Sequence, residues 1–120
     1  MEKTIVIIDD DPVTLKILEK FLIEMRCKVF AADTGTDGYA LVKREKPDIL
    51  ISDMLLPGIH GVELCQKIKG DPELNHIKII LMTSVYKNGI HRLTEMECNK
   101  DGFLKKPIEF NQLTNLIKNI

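Results

Sequence analysis

The chain has 120 residues, of which 44% are hydrophobic, and this suits one compact domain with a substantial core. Its 17 basic and 18 acidic side chains nearly cancel, so the overall charge excludes general attraction to nucleic acid or to a membrane surface. No apolar run approaches the roughly 20 residues of a spanning helix, and the N-terminus lacks a hydrophobic signal region. We therefore predict a single cytoplasmic domain over residues 1–120.

Five short apolar runs alternate along the chain with five longer amphipathic stretches. The first run, TIVII at residues 4–8, is rich in β-branched residues, as in a strand that is covered on both faces. Asp11 and Pro12 then form a typical helix cap followed by proline in the first turn. The predicted strands are residues 4–8, 27–32, 48–52, 77–82 and 103–104. The predicted helices are residues 12–25, 35–45, 62–69, 87–100 and 110–120.

This alternation predicts an α/β fold made of five βα units. Apolar strands that are separated by helix-length crossovers pair in parallel, and the crossovers place helices on both faces of the sheet. In such doubly wound sheets, ligands bind at the carboxyl ends of the strands, near the point where the strand order reverses. The residues that follow each strand are therefore the first candidates for a functional site.

Polar side chains follow four of the five predicted strands. They are Asp9, Asp10 and Asp11 after the first strand, Asp53 after the third, Thr83 and Ser84 after the fourth, and Lys106 after the fifth. At one sheet edge, each pair of carboxylates 4 Å apart repels by about 4 kcal/mol at an effective dielectric of about 20. Protonation or a bound cation would relieve this repulsion. Oxygen ligands with open positions suit Mg²⁺, with Mn²⁺ as an alternative ion.

A carboxylate in this setting can act as a nucleophile toward phosphorus. Asp53 could attack a phosphoryl donor and form an acyl phosphate. The charge on the phosphoryl oxygens then needs partners, and the set at this edge can provide them. The metal ion, the Lys106 ammonium and the Thr83 hydroxyl can each cover one oxygen, and Ser84 adds a backbone N–H nearby.

Each of these signals also has an ordinary structural interpretation. The aspartate run can be a solvated helix cap, and we expect Asp11 to act as one. Taken alone, Asp53 can be a loop residue, Thr83 and Ser84 can cap the next helix, and Lys106 can belong to a surface turn. Their joint placement at strand ends favours the functional interpretation.

The chain resembles the response-regulator receiver family of two-component signalling over essentially its whole length. The resemblance rests on IIDDDP at residues 7–12, PDILISDMLLPGIHG at 47–61, ILMTS at 80–84 and GFLKKP at 102–107. It implies a flavodoxin-like, doubly wound parallel sheet of five strands in the order 2-1-3-4-5, with helices on both faces.

The resemblance also implies roles for individual residues. It implies metal ligands at Asp9, Asp10, Asp53 and the backbone carbonyl of Leu55, and phospho-acceptance at Asp53. It further implies phosphate binding by Lys106, a switch made of Thr83 and Phe103, and a cis Lys106–Pro107 bond. Two positions depart from the family pattern. His60 stands where the motif normally carries an acid, and we assign it no role. Phe103 replaces the frequent tyrosine and can equally be static core.

By the same resemblance, the phosphoryl group comes from a sensor histidine kinase or a histidine phosphotransfer protein, or from a small donor such as acetyl phosphate. The chain would catalyse its own phosphorylation and dephosphorylation and no other reaction. Phosphorylation would alter a face made of the fourth helix, the fifth strand and the fifth helix, and so signal to a downstream protein. We place Ile90, Leu93, Lys105 and Phe110 near that face. We expect a monomer or a phosphorylation-dependent dimer, with no nucleic acid or membrane bound.

Three rival functions fit the topology. A phosphatase with an aspartyl phosphate needs a proton donor two residues after the nucleophile, where Leu55 stands. A flavin carrier needs a loop after the first strand that suits a phosphate, whereas this loop is acidic. A receiver-like module that binds proteins without phosphorylation remains open. Leu55 and Val85 would flank the phosphoryl group and, being apolar, cannot orient water, so we expect slow self-dephosphorylation.

Overall fold

The computed structural model describes residues 2–83 and 101–120, which form a five-stranded parallel sheet with helices on both sides. The strands are β1 (Thr4–Ile8), β2 (Lys28–Ala32), β3 (Ile49–Asp53), β4 (Lys78–Thr83) and β5 (Gly102–Lys105). The described helices are α1 (Pro12–Glu24), α2 (Gly35–Glu45), α3 (Gly61–Lys69) and α4 (Phe110–Asn119). The predicted helix at 87–100 lies outside the described residues.

The strand order is β2-β1-β3-β4-β5, which confirms the predicted order. β1 pairs in parallel with both β2 and β3, so the chain reverses its direction of winding at β1. At such a switch point the loops after β1 and β3 diverge to opposite faces and leave a crevice between them. The carboxyl ends of β1 and β3 therefore border the natural site of this fold.

Local sequence explains where the first two helices begin. The Asp11 side chain accepts a hydrogen bond from the Val13 N–H, and Pro12 occupies the first turn of α1, as predicted. Thr34 caps α2 in the same manner by accepting from the Asp37 N–H. Both caps satisfy N–H groups that a helix start leaves without intrahelical partners.

Two apolar layers hold the helices against the sheet. Alternate strand residues such as Val6, Leu50 and Leu81 face α2 and α3, and the intervening residues such as Ile7 and Ile51 face α1 and α4. All five of these side chains are buried. The confirmed burial of both faces explains why the strands are continuous apolar runs and not alternating ones.

The predicted bounds of the first strand match the observed ones, and those of the other four strands differ by one residue at one or both ends. β3 extends through Asp53 and β4 through Thr83, because these residues still lie in register with a neighbouring strand. Within residues 2–83 and 101–120, no helix combines the length and the apolar composition that crossing a membrane requires.

Candidate functional site

The end of β1 places one aspartate inside the protein and the next one on its surface. The Asp9 backbone N–H donates to the Ala32 carbonyl at 3.2 Å, which continues the pairing with β2. Its carboxylate is fully buried and accepts a hydrogen bond from the Asp11 N–H at 2.9 Å. Asp10 is exposed. The two neighbours thus present one fixed and one accessible carboxylate at the same strand end.

Asp53 is the last residue of β3 and is only 7% exposed. Its Oδ1 accepts a hydrogen bond from the Leu55 N–H at 3.1 Å, which fixes the carboxylate over the start of the following loop. The Met54 N–H donates to the Met82 carbonyl at 2.9 Å and ties the loop start to β4. The Asp53 carboxylate is therefore held by a backbone N–H of its own loop, and that loop is anchored to β4.

Lys106 reaches across the strand ends and joins the two buried acids. Its Nζ donates to Asp53 Oδ2 at 2.8 Å and to Asp9 Oδ2 at 2.5 Å. The Lys106 backbone N–H donates to the Thr83 carbonyl at 2.8 Å, and the following bond to Pro107 is cis, as predicted. Residues far apart in sequence thus converge at one sheet edge.

Three carboxylates at this edge fit a metal ion. Asp9, Asp10 and Asp53 each offer an oxygen, and these oxygens lie within 4.8 Å of one another. An all-oxygen donor set with an exposed member suits a hard cation that keeps some water ligands, as Mg²⁺ does. The residues present therefore fit the magnesium that the family implies. The backbone carbonyl of Leu55, on the same loop, is the predicted fourth ligand.

The cluster carries more negative than positive charge, because it combines three aspartates with the ammonium of Lys106. Burial raises the pKa of the Asp53 carboxyl and the charge of Asp9 adds to this, although hydrogen bonds from Lys106 and from the Leu55 N–H oppose the shift. Burial alone would lower the pKa of the Lys106 ammonium, but its hydrogen bonds to Asp53 and Asp9 outweigh burial and raise that pKa. A divalent cation would stabilise the ionised carboxylates.

The remaining predicted residues divide into those near the cluster and those that the structure does not describe. Thr83 ends β4, and the register pairs its neighbour Met82 with Asp53, so Thr83 lies at the same edge. It is buried. Phe103 is partly buried and packs against the core layer beneath α2 and α3. Ser84, Val85, Ile90 and Leu93 lie outside the described residues. The roles assigned to all these residues stay predictions.

Sequence reasoning missed a close approach of the backbone beneath the site. Gly61 begins α3, and a Cβ atom there would overlap the Asp53 carbonyl oxygen and lie 2.8 Å from Met54 Cα. Its N–H donates to the Met54 carbonyl at 3.0 Å. A glycine in the first turn of a helix, just after a candidate loop, is the signal that could have revealed this packing.

Comparison with known proteins identifies the family. The response regulator receiver domain family matches residues 5–118. The response regulator PleD of Caulobacter vibrioides is 33% identical over 91% of this chain, and histidine kinase P4 of Formosa agariphila is 31% identical over 99%. The chain covers only 24% and 9% of these relatives' own lengths.

A solved structure shows the same fold. The signal receiver domain of a signal transduction histidine kinase from Syntrophus aciditrophicus superimposes with a TM-score of 0.90 at 29% identity. The match covers 98% of this chain and 88% of the other. With the sheet order and the family match already given, the conclusion is that this chain belongs to the response regulator receiver domains of two-component systems.

Proposed function

We propose that this receiver domain accepts a phosphoryl group on Asp53 in a reaction that depends on Mg²⁺. The observation that carries the proposal is the placement of the Asp53 carboxylate. Its Oδ2 lies 2.8 Å from the Lys106 ammonium, and an oxygen of Asp53 lies within 4.8 Å of oxygens of Asp9 and Asp10. A nucleophilic oxygen, a fixed ammonium and ligands for a divalent ion are the groups that phosphoryl transfer needs.

In the proposed reaction, an Asp53 carboxylate oxygen attacks the phosphorus of a phosphohistidine. A new P–O bond forms as the P–N bond breaks, and the imidazole leaves with the electron pair. The Leu55 N–H holds Oδ1, and the attacking atom in this proposal is Oδ2, which contacts the Lys106 ammonium. The Lys106 ammonium stays beside the new phosphoryl oxygens and offsets their charge. Asp9, Asp10, Asp53 and the Leu55 carbonyl would hold Mg²⁺, which would supply further positive charge there.

The same geometry supports a way in which phosphorylation could change a distant face of the domain. The Lys106 N–H donates to the Thr83 carbonyl, so the ends of β4 and β5 are joined beside Asp53. We propose that the Thr83 hydroxyl and the Ser84 N–H bind the phosphoryl group and that the Phe103 ring then repacks. The altered face comprises residues 87–100, β5 and α4, including Lys105 and Phe110.

The donor is a sensor histidine kinase, a histidine phosphotransfer protein or a small acyl phosphate, and the output is contact with a downstream protein in the cytoplasm. The domain catalyses its own phosphorylation and dephosphorylation and acts on no other substrate. The competing function is a receiver-like module that binds its partner without phosphorylation. The three clustered carboxylates and the Lys106 ammonium beside Asp53 favour the phosphorylated function, because a binding module has no need of them.

Intact-protein mass spectrometry after incubation with Mg²⁺ and acetyl phosphate tests the proposal. We expect one alkali-labile phosphoryl adduct on the wild type, none on Asp53→Asn, and an unchanged adduct on Asp33→Asn. Asp33 is a matched control because it is an exposed aspartate that follows β2 at the same sheet edge. A wild type that stays unmodified under these conditions would favour the binding module.

A further inference from the structure

The loop between β3 and α3, residues 54–60, lies against the first turn of α2. The Gly35 N–H, at the start of α2, donates to the Pro57 carbonyl at 3.3 Å. Gly58 has a left-handed φ of 80°, and a Cβ there would lie 2.9 Å from Thr36 Oγ1. The loop that carries Leu55 is therefore supported by an element that contributes no residue to the acidic cluster.

Gly35 is the point of closest approach between the two segments. It is buried, and a Cβ atom at this position would overlap the Ile59 carbonyl oxygen and lie 2.8 Å from the Ile59 carbonyl carbon. These are backbone atoms, so no rotation of a side chain can make room for a methyl group. Any side chain at position 35 would displace the loop itself or the start of α2.

The loop connects this contact with the candidate metal site. Its start is fixed by the bond from the Met54 N–H to the Met82 carbonyl, and its end by the bond from the Gly61 N–H to the Met54 carbonyl. Leu55 lies between the anchor at Met54 and the part of the loop that contacts Gly35. Its N–H orients Asp53 Oδ1. A displaced loop would therefore shift both a proposed ligand carbonyl and the hydrogen bond that aims Asp53.

We propose that Gly35 is a positioning residue for magnesium, because the absence of a side chain there lets α2 hold the 54–60 loop where Leu55 and Asp53 meet the ion. This inference rests on the proposed function. Mg²⁺ demands near-ideal octahedral geometry with ligand distances of about 2.0–2.1 Å, so small shifts of a ligand carbonyl weaken binding. Groups that support metal ligands from outside typically change metal affinity about 10- to 100-fold when they are altered.

The test is calorimetric titration of Mg²⁺ into four proteins whose thermal unfolding is first measured without the ion. The variants are Gly35→Ala, Pro57→Gly and, as the matched control, Gly70→Ala. Gly70 has a negative φ of -84° at the end of α3, and a Cβ there would lie 3.1 Å from the Gln66 carbonyl oxygen. Pro57→Gly adds no atoms, keeps the carbonyl that accepts from Gly35 and loosens the loop.

We expect Gly35→Ala to weaken Mg²⁺ binding about 10- to 100-fold. Pro57→Gly should weaken it by a smaller factor, and Gly70→Ala should leave it unchanged. In the acetyl phosphate reaction, the Mg²⁺ concentration for half-maximal rate should rise in Gly35→Ala far more than the rate at saturating Mg²⁺ falls. A purely structural defect would lower the unfolding midpoint without this shift in Mg²⁺ dependence.

Equal Mg²⁺ affinity in the wild type, Gly35→Ala and Pro57→Gly would overturn the inference while leaving the proposed function intact. If Gly35→Ala does not fold, Pro57→Gly decides, and wild-type affinity in that variant counts against the proposal. A wild type that binds no Mg²⁺ and forms no adduct would instead refute the proposed function itself.

Discussion

Two lysines at opposite ends of the sheet bind aspartate in different ways. At the amino end of β4, Lys69 Nζ donates to Asp101 Oδ2 at 2.9 Å and to the Ile77 carbonyl at 2.8 Å, and Asp101 also accepts from the Ile79 N–H. At the carboxyl ends of β1 and β3, Lys106 is shared by Asp9 and Asp53. Asp10 adds a further carboxylate at this second site.

The difference separates a structural ion pair from the ion pair of the proposed phosphorylation site. Asp101 is neutralised by Lys69 and also by Lys78, whose Nζ lies 3.9 Å from Asp101 Oδ1. Backbone groups provide further hydrogen bonds to Lys69 and Asp101, so this ion pair stabilises the junction of α3, β4 and β5. The Lys106 cluster is unbalanced toward negative charge, and burial raises the pKa of its Asp53 carboxyl. Natural proteins keep such imbalance where a ligand completes the site. We expect replacement of Lys106 to cost more than replacement of Lys69 in both activity and stability.

The largest expected difference is in phosphorylation. Lys106→Met should slow the formation of the Asp53 adduct by about 100-fold, because a fixed positive charge beside the transferring group is lost. Lys69→Met should leave the rate within about twofold, since Lys69 lies at the other end of the sheet. Adduct formation over time, followed by intact mass in excess Mg²⁺, measures both rates. Similar slowing in the two variants would show that Lys106 has no special role in phosphorylation.

Stability without Mg²⁺ should also separate the two lysines. Lys106→Met leaves the buried Asp9 carboxylate without its ammonium, and a broken buried pair costs about 3–5 kcal/mol in the free energy of unfolding. Lys69→Met should cost about 1.5–3 kcal/mol, since it removes hydrogen bonds to a charged group that is partly accessible to water. Urea unfolding in chelator measures both. Mg²⁺ should then restore stability to Lys106→Met and not to Lys69→Met.

Removing the negative charge of Asp53 should change stability by less than either lysine replacement, and in the stabilising direction. Because the pKa of Asp53 is raised in the folded state, its ionised form costs stability as the pH rises through that pKa. Without Mg²⁺, Asp53→Asn should therefore raise the unfolding midpoint at pH 7, with each kcal/mol worth about 4 °C in a domain of this size. This gain in stability should shrink as the pH falls toward about 3.9, the usual pKa of an aspartate side chain. A midpoint lowered at pH 7 would contradict this account.

The smallest expected effect concerns the lifetime of the phosphorylated state. Leu55 is 48% exposed at the mouth of the site, and its apolar side chain cannot orient an attacking water. Leu55→Asn should therefore lose the phosphoryl group a few-fold faster than the wild type, and adding Val85→Glu should increase the difference. The decay of the adduct after removal of acetyl phosphate measures this. Equal or slower decay in the variants would show that the apolar side chain of Leu55 is not what slows hydrolysis.

The sequence predicts the fold better than it predicts contacts within the site. Runs of β-branched residues identify the strands, but β3 ends at Asp53 and not at Ser52, because backbone pairing with Met82 continues beyond the apolar run. Strand-end position predicts that Asp9, Asp10, Asp53 and Lys106 meet. Which carboxylates share the ammonium depends on side-chain packing that spacing does not encode.

The glycines also show that the sequence does not predict close tertiary contacts. In the sequence, Gly38 in α2 indicates only a cost in helix stability of about 1 kcal/mol. In the structure, a Cβ atom there would overlap the Ile8 side chain, so the glycine lets α2 approach β1 directly before Asp9. Gly35 likewise owes its importance to backbone atoms of Ile59, which is distant in sequence. Tertiary approach of this kind leaves no periodic pattern from which it could be predicted.

The most direct test of the central claim is to locate the phosphoryl group chemically. Borohydride reduces an aspartyl phosphate to homoserine, which peptide mass mapping can assign to one position. After reaction with Mg²⁺ and acetyl phosphate, we predict homoserine at position 53 and unmodified aspartate at positions 9 and 10. Homoserine at another position, or none in a protein that carries a phosphoryl adduct, would contradict the assignment of Asp53 as the acceptor.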